Sequence, residues 1–286
     1  MRPRLWLSTL LLLATALPRP LAAGNPVDGG YAELLHERLS GMSINLRPAV
    51  TAFDYVGLHR KPDSAVGLRA VRAQLLSAKP SRMTPAERTA WAINVYNFLV
   101  IERVMQHFGA NGAPPASVRD IPGFFSDPAV EVEGRHYSLD TFERHFLFAD
   151  VERDNDVPPP AGIDPRIHFA LVCAARGCPP LRDTPYRAAT LDADLDAAVR
   201  NALLSPAHLR AEPRTLTWAI SSIFHWYEKD FGGRAGVIAF LKRYAPGEVS
   251  GQIQDRGEEA LNGFVTWDWR LNQVSDEYRG ARARTR

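Results

Sequence analysis

The chain has 286 residues, with 34 Lys+Arg against 32 Asp+Glu, 45% hydrophobic residues and 2 Cys. That apolar share, beside 23% charged residues, is enough for a sizeable core and excludes both a disordered tail and a disulfide-built miniprotein. No apolar run reaches the ~18–20 residues a membrane-spanning helix requires, so no membrane span is expected.

Residues 1–23 read as a signal peptide. Arg2 and Arg4 form a positive start, Leu5 to Leu17 an apolar stretch too short to span, and small residues follow, placing cleavage near Ala23. This predicts a periplasmic or secreted protein. Removing the three Arg of that segment leaves 31 basic against 32 acidic side chains. Four more Arg (Arg279, Arg282, Arg284 and Arg286) crowd the end of the chain, so the body is acidic. A nucleic-acid partner needs a clustered basic face and is not expected. Residues 24–272 are expected to form a single globular domain. Residues 273–286 read as a basic, disordered tail whose one foreseeable contact is a weak one with an anionic surface.

In chain order, a helix is expected near 66–78. Thr84-Pro85-Ala86-Glu87 is a capping box with Pro at the first helical position. The helix it opens runs through WAINVYNFLVIERVMQHF and is apolar on most sides, so it should be buried. GAPPAS (112–117) reads as a loop, and Val130 to Tyr137 as a hairpin turning at Glu133-Gly134. A helix near 139–148 precedes a Pro-rich loop at 156–165. Ile167 to Cys173 is a short apolar run expected to be a strand. Helices near 191–204, 221–231 and 234–244 follow, with a strand at Thr215 to Ile220 between the first two. The prediction is an α+β fold, mostly helical and wrapped around a small β-sheet.

The densest chemistry lies in DPRIHFALVCAARGCPPL, Asp164 to Leu181. Cys173 and Cys178 match neither a zinc knuckle nor a C-x-x-C redox motif. Three readings stay open: a local disulfide in an exported protein, a reactive thiol at Cys173 activated by a histidine, or inert buried cysteines. On a regular strand His168 and Cys173 face opposite sides, so a direct dyad would require a bulge, an early strand end or another histidine such as His145 or His225. Asn94 and Asn97 share one face of the apolar helix, where a buried amide must be satisfied, and imply an internal polar network that Glu143 and Arg166 are placed to join. Ser221 and His225 have i,i+4 spacing, but a hydroxyl at a helix start reads as a cap, and no G-x-S-x-G elbow is present. Asp268, between Trp267 and Trp269, is expected to be buried and hydrogen-bonded.

Taken together, Asp54-Tyr55, the WAINVYN helix, GRHYSLDTFE (134–143), DPRIHFALVCAARGCPPL, SSIFHWYEKDF and WDWRLN resemble, in this order, the family called domain of unknown function 547. The resemblance runs from about residue 50 to 272. Trp91, Asn94, Tyr96 and Asn97 look like signature positions of its helix, and His168, Cys173, Cys178 and Pro179 like those of its Cys-bearing motif. Where the family's Ser-Leu-Asp helix carries a His, this chain has Arg144, with His145 one place on, so no role carries over to that position. The resemblance implies no settled activity. A buried helix packed on a His-bearing strand is also similar to thiol-dependent transglutaminase and peptidase folds.

Two functions are therefore expected to compete. In one, the protein is a thiol-dependent hydrolase or acyl-transfer enzyme. Cys173 is its nucleophile, His168 or His225 the base, and Asn94 or Asn97 an orienting group or oxyanion donor, with Glu143 in the same network. In the other, it is a non-catalytic periplasmic binding or assembly factor in which those residues form a structural polar core and Cys173 and Cys178 are bridged. Neither requires a cofactor or a metal; a third possibility is a metal held by His168, Glu143 and a second His, and the substrate or protein partner is not readable from the sequence.

Overall fold

A computed structural model describes residues 29–42, 50–148 and 163–275. The expected signal peptide, most of the 156–165 loop and the Arg-rich end lie outside the described residues.

The chain opens with α1 (Gly30–Arg38) and an antiparallel pair, β1 (Leu39–Met42) with β2 (Val50–Phe53). Two helices follow, α2 (Tyr55–His59), capped by the Asp54 side chain accepting from the Gly57 N–H, and α3 (Ser64–Leu76). The centre of the fold is α4 (Pro85–Met105), whose capping box forms as the sequence requires: Thr84 accepts from the Glu87 N–H and Glu87 accepts from the Thr84 N–H. It is buried along nearly its whole length because α3, the β3 (Pro128–Val132)–β4 (Arg135–Ser138) hairpin and α5 (Leu139–Phe146) all pack on it. Two of the charges it carries into this shell find partners there: Glu102 pairs with Arg72, and Arg103 donates to the Asp127 and Gly123 carbonyls. GAPPAS is irregular, as expected.

The second half contains α6 (Leu191–Leu203) and the mixed sheet β5 (Leu209–Glu212), β6 (Thr217–Ile220) and β7 (Leu261–Phe264). Between β6 and β7 come α7 (Ile223–Trp226), α8 (Gly233–Tyr244) and α9 (Gly247–Arg256). β6 is central, antiparallel to β5 and parallel to β7. The fold is thus mixed α+β and mostly helical, with its described strands in three sheets of two, two and three. Two apolar clusters result, one around α4 and one around Phe224, Val237, Phe240 and Leu241. The segment 167–172 lies between them, with Phe169 in the second cluster and its neighbours in the first. No helix among the described residues is long and apolar enough to cross a membrane.

Three expectations are corrected. The strand expected at Ile167 to Cys173 is a 3-10 helix, Pro165–Phe169, followed by a loop. Pro165 fixes the first helical φ and Asp164 caps the turn by accepting from the Arg166 N–H, so the backbone closes on itself. The helix expected over 221–231 is divided at Tyr227, where the backbone leaves helical geometry before a 3-10 turn, Glu228–Phe231. Gln273 and Val274, at the start of the expected tail, are instead held at the end of β2 and the start of α2: the Phe53 carbonyl accepts from the Val274 N–H, and the Gln273 side chain accepts from the Val56 N–H.

Candidate functional site

A cavity of about 250 Å³ opens where the two apolar clusters meet. Four elements bring residues to it: Tyr96 from α4, Asp140 and Glu143 from α5, His168 from the 3-10 turn, and Trp226 with Tyr227 from the broken helix. Leu171, Val172, Ile223, Pro179 and the two cysteines form an apolar side, while Phe125, Trp267 and Trp269 add aromatic surface.

His168 is the best-anchored polar group. Its Nε2 lies 2.8 Å from an Asp230 carboxylate oxygen, and its ring is sandwiched between Phe148 and Tyr227, with centroid separations of 4.3 and 3.9 Å. Burial pushes its pKa down to about 4, against the opposing pull of Asp230. The downward shift favours the uncharged imidazole, whose Nε2–H can donate to the carboxylate. The break at Tyr227 has a structural consequence, since it turns both Tyr227 and Asp230 onto this one ring.

Glu143 is the second unusual group. Desolvation raises its pKa to about 7; the Tyr96 hydroxyl, as a donor to the carboxylate, pulls in the opposite direction, and Asp140 one turn earlier raises it further. Such a carboxyl exchanges its proton near neutrality.

The two asparagines do something different. Asn97 Nδ2 donates to the Ala170 carbonyl at 3.0 Å, and its Oδ1 accepts from the Val172 N–H at 3.0 Å. Asn94 repeats the arrangement on Tyr186, donating to its carbonyl at 2.8 Å and accepting from its N–H at 2.9 Å. Each amide satisfies a donor and an acceptor of a chain segment that has no neighbouring strand. Both amides are satisfied internally as two separate clamps, of which the Asn97 clamp backs the cavity lining at Val172, while Asn94 holds Tyr186, outside the lining. Asn97 holds the loop that joins His168 to Cys173.

Cys173 and Cys178 are bridged by a disulfide. The loop they close pairs with the C-terminal segment: Arg176 and Gly177 N–H groups donate to the Arg270 and Asp268 carbonyls, and the Asn272 N–H donates to the Ala174 carbonyl. Gly177 is required for this approach, because a Cβ there would sit 2.8 Å from Trp267 Cδ2 and 2.9 Å from the Asp268 nitrogen. Ala174 adopts a left-handed φ of 61°, an uncommon state for a residue with a Cβ. In this oxidised form Cys173 has no thiolate to offer.

Of the six residues singled out from sequence, Cys173, His168 and Glu143 line one cavity; Asn97 braces it through Val172; Asn94 holds Tyr186 outside the lining; His225 does not reach it, being exposed beside Phe264. His145 packs on Tyr137. Ser221 bonds at 3.0 Å to Nδ1 of the fully buried His208, a residue the sequence did not flag. Arg166 does not join the asparagines but pairs with Asp164, Asp192 and Asp196. Asp268 is half-buried and bonded to Arg270, not deeply enclosed as expected, because the strand-like pairing of its backbone carbonyl leaves the side chain near the surface. Asp140, Tyr227 and Asp230 were missed. The i,i+3 spacing of Asp140 and Glu143 was a usable signal, whereas Asp230 is 62 positions from His168 and only the fold joins them. Among the described residues no group of three or more His, Cys, Asp or Glu gathers closely enough to hold a metal ion.

Fold and site together define a mixed α+β protein with an aromatic, acidic cavity backed by the buried Asn97 amide. Residues 80–202 match the model of the family described as "Protein of unknown function, DUF547", and the chain is a DUF547 family protein over that span. The span contains α4, Glu143, His168 and the disulfide, while Trp226, Tyr227, Asp230, Trp267 and Trp269 lie beyond it. Neither a search of curated proteins nor one of solved structures returned a match.

Proposed function

We propose that this is an exported binding protein that holds a small ligand in the cavity between its two apolar clusters. The observation that carries the reading is the convergence of Tyr96, Glu143 and His168, from three separate elements, on one open cavity lined by aromatic rings. Drug-sized ligands occupy roughly 300–1,000 Å³, so a cavity of about 250 Å³ fits a smaller molecule. The disulfide suits an oxidising compartment, in agreement with the signal-like start of the chain. On this reading the bridge and the asparagine clamps serve architecture. The test is a fragment screen of the mature chain by NMR, repeated with Leu171→Trp to fill the space. Fragments that shift cavity resonances and lose binding in the variant support it; a screen in which no fragment perturbs the lining residues refutes it.

One observation favours a second reading, hydrolysis or acyl transfer: the Glu143 carboxyl, raised to about 7, is suited to exchange protons in a cavity that His168 also lines. A thiol mechanism at Cys173 further requires the reduced pair. Turnover of an ester or amide panel by the parent, abolished in Glu143→Gln, would establish it; absence of turnover in both oxidised and reduced protein would exclude it.

A further inference from the structure

We infer that the cavity selects a small alkylated ammonium cation, with the indole and phenol faces and the α5 carboxylates as its recognition surface. This rests on the binding reading above and specifies its ligand.

Charge gives the first argument. Asp140 and Glu143 line the cavity, and among the described lining residues there is no Lys or Arg. Asp230 sets a further carboxyl group 2.8 Å from the His168 ring nitrogen. The guanidinium groups near this wall lie outside the lining, Arg144 partly offsetting Glu143 and Arg119 against the Trp269 ring, so the first charges an entering ion meets are carboxyls, which favour a cation over an anion.

The aromatic wall gives the second. Trp226, Trp267 and Trp269 cluster with ring centroids 4.9 to 6.2 Å apart, and Trp226 remains 47% exposed. Such faces attract cations through the ring quadrupole, and Trp best of all. The wall already does so within the protein, since the Arg119 guanidinium lies 5.3 Å from the Trp269 ring centroid.

The apolar part of the lining distinguishes a cation from a sugar. Aromatic rings with carboxylates also suit carbohydrates, but a sugar carries hydroxyls around its whole rim and needs polar partners on every side. Leu171, Val172, Ile223, Pro179 and the disulfide offer none through their side chains. The methyl groups of an alkylated ammonium pack on that surface without leaving a hydrogen bond unmade.

The experiment titrates the mature, oxidised protein with choline near neutral pH, using tryptophan fluorescence and calorimetry. Dimethylbutanol, the uncharged carbon isostere, and dimethylbutyrate, an anion of like shape, serve as comparators. Choline should bind about tenfold or more tightly than the alcohol, and the anion should not bind. Trp226→Ala, at a half-exposed position where folding tolerates the change, should weaken choline by about tenfold. Equal or tighter binding of the alcohol or the anion overturns the cation assignment and leaves the small-ligand reading standing. If none of the three binds while the fragment screen finds cavity ligands, the cation assignment alone falls. If the fragment screen is also empty, the binding reading falls with it.

Discussion

Replacing Asn97 by Ala separates a structural amide from a catalytic one. Asn97 is 1% exposed, and its amide meets two backbone groups, the Ala170 carbonyl and the Val172 N–H, at 3.0 Å each. Truncation leaves both without a partner in a buried setting, each at a cost of about 1–3 kcal/mol. The sum, about 4 kcal/mol, corresponds to a fall in Tm of roughly 8–16 °C for a protein of this size. Asn97→Asp keeps the acceptor for Val172 but loses the donor and sets an oxygen against the Ala170 carbonyl, so it should not restore stability. Urea unfolding followed by tryptophan fluorescence, with a thermal scan, measures all three proteins. If Asn97→Ala unfolds within about 0.5 kcal/mol of the parent, the clamp does not hold the loop and the argument fails.

Glu143 should make stability depend on pH in an unusual direction. Its folded pKa is raised from 4.5 to about 7, so the folded state keeps a proton that the unfolded chain releases, and stability falls as pH climbs through that interval. Glu143→Gln removes the dependence, and the parent should lose roughly 3 kcal/mol relative to the variant between about pH 4 and about pH 8; parallel denaturation curves at those two pH values would contradict this. His168 acts in the opposite sense: its folded pKa, lowered from 6.5 to about 4, makes stability fall as pH drops through that window, and NMR titration of the ring should show it neutral at pH about 6. Reducing the disulfide opens a short loop, since its cysteines are five positions apart, and should cost about 2 kcal/mol, or roughly 4–8 °C in a thermal scan with and without reductant; an unchanged Tm after confirmed reduction would refute this. Gly177→Ala places a methyl against Trp267 and the Asp268 nitrogen and should destabilise by about 1–3 kcal/mol while altering tryptophan emission; a variant as stable as the parent would mean the two segments do not approach so closely.

What could be read from sequence was local. The α4 capping box, the Glu133–Gly134 turn and the helical character of residues 64–76 and 191–203 depend on neighbours within a few positions, and these elements form where they were expected. Two asparagines on an apolar helix also announced satisfied amides, since burying them unpaired is costly. The run Ile167 to Cys173 shows the limit of that reasoning. Its apolar, β-prone residues read as a strand, but a strand needs a partner, and here Asn97 takes up backbone groups at Ala170 and Val172 while Asp164 and Pro165 start a turn.

The site was decided by tertiary contacts. His168 meets Asp230 across 62 positions, Arg176 and Gly177 pair with the distant 268–270 segment, and His225 points away although its neighbours Trp226 and Tyr227 line the cavity. The pKa values of Glu143 and His168 follow from burial, which no residue carries in its own identity. Periodicity and capping act over a single turn of chain, so they are written in the order of residues. Enclosure and charge pairing are properties of the space between elements, and they exist only once those elements have packed.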